Sequence, residues 1–209
     1  MVRIVHKGEH MDKPEIILNA AQRRLGLFGY EKTTMNEIAQ DLSMSKAALY
    51  YYFPDKETLF MAVIGRETDE FLALVNTRLM VIKDPEKMLY EYIKLRQDYF
   101  QKFLNLNKAR FTDFKQMKPH FRESFENLKQ KEKTIILKII RSGIRAGEFY
   151  CTGLSSVALL FLDILHGLRM TVIQHKSFHE ITAEDHRLMA EKHREFVSLF
   201  IRSLKIRTK

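Results

Sequence analysis

A single cysteine, Cys151, stands in 209 residues, so no disulfide can close within the chain and no cysteine cluster can hold a metal. A reducing cytoplasm is therefore the expected location. Proline occurs four times, and no alternation of apolar and polar residues marks a strand. Repeats and low-complexity tracts are missing as well. No apolar run matches a membrane span, because the longest, near 154–165, is broken by Ser155, Ser156 and Asp163. The first ten residues carry a charge every few positions and no hydrophobic centre, which speaks against a signal peptide and for a flexible tail over 1–11. What is present, 45% hydrophobic and 29% charged residues, fits an ordinary soluble protein with ample length for a core.

The formal net charge of +9 suggests an acidic partner, but its distribution argues otherwise. Residues 1–60 hold eight Lys/Arg and eight Asp/Glu, whereas 101–145 hold twelve and four. Any DNA contact near the N-terminus must rest on a few well-placed cations. The 101–145 surplus reads first as a solvated helix face. The sharper alternative is a field that attracts DNA flanks or an acidic effector.

Helical spacing accounts for the whole chain, and the fold class is all-α. Pro14 sits where a first-turn proline is harmless, and Ile17, Ala20, Ala21, Leu25 and Phe28 follow as an inner face up to Gly29, a left-handed stop. Asp55 caps a long helix from Lys56 to about Met80. Further helices are expected from Asp84-Pro85, over about 107–117, from His120 to Ala146, over 154–174, and from the Thr182 cap to Leu204. The 154–174 helix is apolar on most sides, which marks a buried or partner-covered element.

Residues 34–56 carry the most information. Thr34 precedes Glu37 by three positions, a capping box, and Met35, Ile38, Ala39 and Leu42 form one face. Ser43-Met44 makes a turn, Ser45 is a second cap, and a short helix runs to Phe53, where Pro54 stops it. Two helices across a tight turn, the second small and polar at its start, read as a helix-turn-helix that enters the DNA major groove. Lys46 can donate to a guanine edge, and Ala47 or Ala48 can pack on a thymine methyl. Tyr50, Tyr51 and Tyr52 span about 200° of a helix, so at least one must face inward. Leu49 and Phe53 serve the core.

These residues resemble the TetR family of bacterial transcriptional repressors. The likeness rests on Phe28-Gly29, Thr33-Thr34, Ile38-Ala39, Ser43-Met44, Ser45-Lys46, Leu49-Tyr50, Tyr52-Phe53 and Lys56, and it runs from about Ile16 to Val63. Ser43 departs from the usual turn glycine, and Ala47 from a frequent glycine. The resemblance implies a three-helix DNA-binding domain at 12–55, with Thr34, Ser45, Tyr50, Tyr52 and Lys56 along the phosphates. It also implies a dimerisation and effector domain at 56–209 whose last two helices pair with their copies in a four-helix bundle. The apolar surface for that pairing is expected at Phe161, Leu165, Leu168, Phe196 and Phe200.

The other constellations are weaker. Ser43-x-x-Lys46 matches a serine β-lactamase motif, but its companion motifs are absent and a helix cap explains it. His175 and His179 have metal-pair spacing in a loop, where exposed histidines are the simpler reading. His186 and His193 read as surface or interface. His166 lies with Asp163 and Arg169 on an apolar helix, either as an interface patch or as the wall of a pocket. Expected effector contacts are Phe103, Arg110, Phe111, Phe125, Arg141 and His166, around a largely apolar molecule. Lys108 and Arg145 are further cations for an amphipathic anion. No catalytic residue, metal or cofactor is expected. The rival readings are control by a protein partner, or a helical enzyme or carrier that contains a helix-turn-helix. The expected partners are double-stranded DNA, a second copy of the chain and a small effector, with no membrane.

Overall fold

The computed structural model describes residues 12–106, 119–176 and 180–205, with backbone only over 102–106 and 119–122. Among these the elements are eight helices: α1 Lys13–Lys32, α2 Met35–Asp41, α3 Lys46–Tyr52, α4 Lys56–Met80, α5 Pro85–Leu106, α6 Pro119–Arg145, α7 Leu154–Ile173 and α8 Ala183–Leu204. The expected tail at 1–11, the short helix at 107–117 and His179 lie outside the described residues.

Helix starts follow local chemistry. Thr34 and Glu37 form the reciprocal capping box of α2, Asp55 accepts the Thr58 amide of α4 at 2.6 Å, and Thr182 with Asp185 repeats the box at α8. Each satisfies amides that have no partner inside the helix. Gly29 has φ 79° and ψ 172°, so it is not a left-handed stop; the chain steps aside there and adds one more turn to Lys32. That step turns Phe28 out of the core to 47% exposure. Thr33, fully buried, locks the bend by donating its hydroxyl to the Gly29 carbonyl at 2.7 Å.

Two hydrophobic cores result. Ile17, Ala21, Ile38, Leu49, Phe53 and the first half of α4 (Leu59, Phe60, Val63, Ile64) form one. The second half of α4 (Phe71, Val75, Leu79) joins α5, α6, α7 and α8 in the other. Arg66 holds α1 against α4 midway, donating to Glu15 at 3.0 Å, Asn19 at 2.9 Å and Gln22 at 2.6 Å. Phe125 of α6 packs against the first core.

α7 is 20 residues long and meets the length and composition of a membrane span, although the sequence reading took its polar breaks to exclude one. Its apolarity is used inside the protein: Ala158, Phe161, Leu162, Leu165 and Ile173 are all buried. Lys129 of α6 pairs with Asp163 of α7 at 2.6 Å, and Lys131 with Asp69 of α4 at 3.2 Å. Part of the 101–145 surplus is thus matched by acids on neighbouring helices.

Past α6 the chain turns at Gly147 (φ 72°) and lays Phe149 against Gly143, so closely that a Cβ on Gly143 would lie 2.2 Å from the ring. The same turn pairs Phe149 with Lys205, and the Tyr150 amide donates to the Leu204 carbonyl at 2.7 Å. Phe149 is almost fully buried and cannot withdraw without opening the end of the bundle. Gly143→Ala is expected to destabilise by about 2–3 kcal/mol, as overpacking in a closed core does. Urea denaturation checks it, and an unchanged midpoint would contradict this packing.

Candidate functional site

The turn between α2 and α3 is closed by backbone bonds from the Ser43 amide to the Gln40 carbonyl (3.0 Å) and from the Met44 amide to the Ala39 carbonyl (2.9 Å). Ser43 adopts φ 52°, the one positive φ at a non-glycine among the described residues. The turn therefore keeps a geometry that glycine adopts readily, at a cost of about 1–2 kcal/mol for serine. Ser45 caps α3, its hydroxyl accepting from the Ala48 amide at 3.1 Å. A bidentate pair from Arg24 to Asp41, 2.7 and 3.0 Å, fixes α2 on α1, and the guanidinium holds the Asp41 carboxyl below its ordinary value.

α3 buries only Leu49 and leaves Ser45, Lys46 and Ala47 exposed, with Ala48 half-buried. The Lys46 ammonium lies 5.6 Å from the Tyr50 ring centroid. Tyr51 is 82% exposed and Tyr50 38%, whereas Tyr52 is half-buried against the first core. The most inward of the three tyrosines is thus Tyr52, half-buried beside the core, while Tyr51 joins Tyr50 on the outer face. The 100° step allowed this choice but could not make it; only the position of Leu49 and Phe53 in the core does. Thr34 is exposed, with its hydroxyl held by Glu37 at 2.8 Å. Lys56 is half-buried and already donates to the Tyr30 carbonyl at 3.0 Å, with the Tyr30 ring 4.2 Å away. It braces the junction of α1 and α4, a structural task beyond the expected phosphate contact.

The residues expected at the dimer interface separate. Phe161 and Leu165 are fully enclosed in the protomer's own core, so they cannot also face a partner. Leu168, Phe196 and Phe200 are half-buried, and the last two pack on Phe161 with ring centroids 5.4 and 4.7 Å away. The outward apolar residues are instead Leu160 of α7 and Leu188 and Leu199 of α8.

Of the expected effector contacts, the structure describes the side chains of Phe125, Arg141 and His166. Phe103, Lys108, Arg110, Phe111, Phe114 and Phe121 lie outside the described side chains. Phe125 packs on the N-terminal core, and Arg141 and Arg145 are exposed on α6, where the i, i+3 and i+4 neighbours of a helix's solvent face belong. Only His166 borders a site of interest. Its Nδ1 lies 3.2 Å from Nη2 of Arg169, whose side chain is buried.

Around Arg169 the second core is polar. Arg96 donates to Glu132 at 2.8 Å, and the Tyr92 hydroxyl donates to the same carboxylate oxygen at 2.6 Å. All three are buried. Arg96 and Arg169 both stack on Phe100, with guanidinium carbons 4.6 and 3.7 Å from the ring centroid. Glu132 balances one of the two cations. Nε and Nη1 of Arg169 have no hydrogen-bond partner among the described residues. A cation–π contact contributes about 0.5–2 kcal/mol, whereas a buried ion costs several kcal/mol to desolvate, so Phe100 does not compensate. Burial, and then the charge of Arg96, push the Arg169 pKa down to about 9, and it remains a cation at neutral pH. Arg169 was visible in the sequence as a charge on an apolar helix. Its lack of a partner was not.

Among the described residues no group of three or more His, Cys, Asp and Glu is placed to hold a metal. His193, read as a surface or interface residue, is buried: it donates from Nε2 to the Leu165 carbonyl at 2.9 Å, leaving Nδ1 to accept from Gln97 at 3.0 Å.

The model of the bacterial regulatory proteins of the tetR family matches residues 17–63, which hold α2, α3 and their flanks. A transcriptional regulator from Cytophaga hutchinsonii is 40% identical with a TM-score of 0.85, over 92% of this chain and 98% of that one. The chain belongs to the tetR family of bacterial regulatory proteins. An HTH-type transcriptional repressor of Mycobacterium tuberculosis is 32% identical over 43% of this chain and 50% of its own length. The chain thus spans about half the length of this curated relative. A regulator fold from Saccharomonospora viridis, solved in complex with choline, is 18% identical with a TM-score of 0.72, over 93% of this chain and 98% of that one.

The buried neutral His193 makes stability depend on pH. Burial lowers its pKa from 6.5 to about 4. Between these values the unfolded chain binds the proton and the folded chain does not, so stability falls as pH drops through that window. Urea denaturation at pH 7, 5.5 and 4.5 is expected to show that loss. His193→Gln, which cannot take up a proton there, should flatten the slope, and an unchanged slope would contradict the neutral buried imidazole.

Proposed function

We propose that the chain is a ligand-responsive transcriptional repressor that binds a palindromic operator as a homodimer and is released by a small, largely apolar molecule. The observation that carries the reading is α3 itself, a capped helix that anchors one residue in the core and turns Lys46, Ala47, Tyr50 and Tyr51 outward. A helix presented in this way fits the major groove. Lys46 and Ala47 at its start meet base edges, while Thr34, Ser45, Tyr50 and Tyr51 lie towards phosphates. The neutral charge balance of residues 1–60 makes specificity depend on these few groups.

Dimerisation runs through α7 and α8. Leu160, Ile164, Gly167 and Thr171 share one stripe of α7, and Leu188, Lys192, Glu195 and Leu199 one stripe of α8, at the i, i+4, i+7, i+11 spacing of a helix face. Two such helices from each copy make a four-helix bundle. A two-fold dimer then presents two α3 helices to successive major grooves, about 34 Å apart in B-form DNA. Effector control follows if the ligand binds the released form better than the DNA-bound form, since equal affinity shifts nothing.

Operator fragments selected from genomic DNA provide the test. Lys46→Ala should weaken operator binding by about 1–3 kcal/mol and leave non-specific binding nearly unchanged; an intact specificity ratio would remove Lys46 from base readout. For assembly, Leu160→Glu should sediment as a folded monomer that no longer binds the operator, because a half-site supplies too few contacts. Sedimentation of Leu160→Glu as a folded dimer would contradict the proposed face. Leu165→Glu, by contrast, should unfold the protomer, since its side chain has no solvent to reach.

A further inference from the structure

Arg169 is 7% exposed and carries two N–H nitrogens with no acceptor among the described residues. Buried polar groups are nearly always hydrogen-bonded, and an exception in a folded protein calls for an explanation. Nε and Nη1 point to different sides of the planar guanidinium, so one oxygen atom cannot serve both. The missing partner supplies at least two acceptor atoms or leaves a donor to water.

Charge narrows its chemistry. The groups that act on Arg169 are Arg96, Glu132 and Tyr99. Glu132 is already shared between Arg96 and the Tyr92 hydroxyl, and burial keeps both tyrosines neutral by raising their pKa. His193 is neutral as well, and burial and the guanidinium charges hold His166 below its ordinary value. Asp163, nearly two turns before Arg169, is exposed and paired with Lys129. Among the described groups that act on Arg169, one positive charge therefore has no counterpart. A monoanion neutralises it; a dianion such as a phosphate ester leaves an excess negative charge in the same low-dielectric surroundings.

We infer that Arg169 anchors a site for a monovalent organic carboxylate, whose acid group accepts from the open Nη1 end of the guanidinium. A carboxylate meets the Nη1–Nη2 edge of an arginine as a planar fork, and Nε is left to a water. An apolar or aromatic body suits the surroundings, where Phe100 lies under the guanidinium, Tyr99 meets Phe100 edge-on at 5.1 Å, and Phe71 stacks on Tyr99 at 4.5 Å. This inference rests on the ligand-responsive reading and names the class of its effector.

The site is tested on the full chain with benzoate, benzamide and phenyl phosphate as probes, by thermal unfolding and calorimetry of the wild type, Arg169→Met and Arg169→Lys. In the absence of probe, Arg169→Met should melt at or above the wild type, because a charge without a partner is removed from the interior. Benzoate should raise the wild-type Tm in proportion to ligand occupancy, and neither benzamide nor phenyl phosphate should match it. Arg169→Met should lose the benzoate shift and bind at least tenfold more weakly, while Arg169→Lys keeps part of it. Benzoate acting no better than benzamide, or equally on Arg169→Met, would overturn the site. So would an Arg169→Met protein that melts well below the wild type or fails to fold, since Arg169 would then be a structural residue. Operator binding is measured in parallel. A missing benzoate effect beside intact operator binding sinks the carboxylate site alone, whereas benzoate binding through Arg169 without any effect on the operator complex sinks ligand-responsive repression alone.

Discussion

The continuity of α4 is the constraint on which the rest depends. One unbroken run of 25 residues places Leu59, Phe60, Val63 and Ile64 in the N-terminal core and Phe71, Val75 and Leu79 in the C-terminal one. Neither core is complete without its share of this helix. The junction falls at Gly65, which weakens a helix by about 1 kcal/mol, and there Arg66 donates to three side chains of α1. The orientation of α3 is thus set by a helix that the body of the protein also holds. Phe125 adds a second contact, reaching from α6 to the N-terminal core.

That arrangement supplies a physical route for the proposed control. Arg169 of α7 stacks on Phe100 of α5; Tyr99, the residue before it, stacks on Phe71 and exchanges a hydrogen bond with Thr68 at 3.0 Å, both on α4. A charge neutralised at Arg169 changes what holds Phe100, and the aromatic contacts connect that ring to the helix that carries the reading head. In such a packed series small displacements switch between discrete arrangements instead of spreading evenly. In the proposed control α4 would be the element with two positions, biased in opposite senses by effector and operator.

Much of this was legible in the sequence wherever the governing physics is local. The caps at Thr34, Ser45, Asp55 and Thr182 were readable because a side chain meets amides two or three residues ahead, and the span of α4 followed from its cap and its spacing. Local rules failed where tertiary packing decides. The direction of Phe28 depends on the backbone step at Gly29, and the choice of Tyr52 as the inward tyrosine depends on where the core lies. Phe161 and Leu165 were read as a partner's surface because an all-round apolar helix looks the same whether its own chain or another covers it. Arg169 is the plainest case: a sequence shows the residue, but only the surrounding helices show that Glu132 is already taken. Ser43 is a departure that the fold absorbs, since the residue adopts the glycine-like turn geometry itself.

Native-state hydrogen exchange along α4 tests the shared helix most directly, because it needs neither operator nor effector. Exchange free energies report which amides open together. Amides from Val63 to Val75 are expected to open in one cooperative unit, with no step across Gly65 and Arg66, and Arg66→Ala should introduce a step there. A wild-type protein in which the amides up to Ile64 exchange with α1–α3 at distinctly lower free energy, while those from Phe71 onward stay protected, would contradict the account. The two cores would then be joined by a hinge, and α4 could not carry a change at Arg169 to α3.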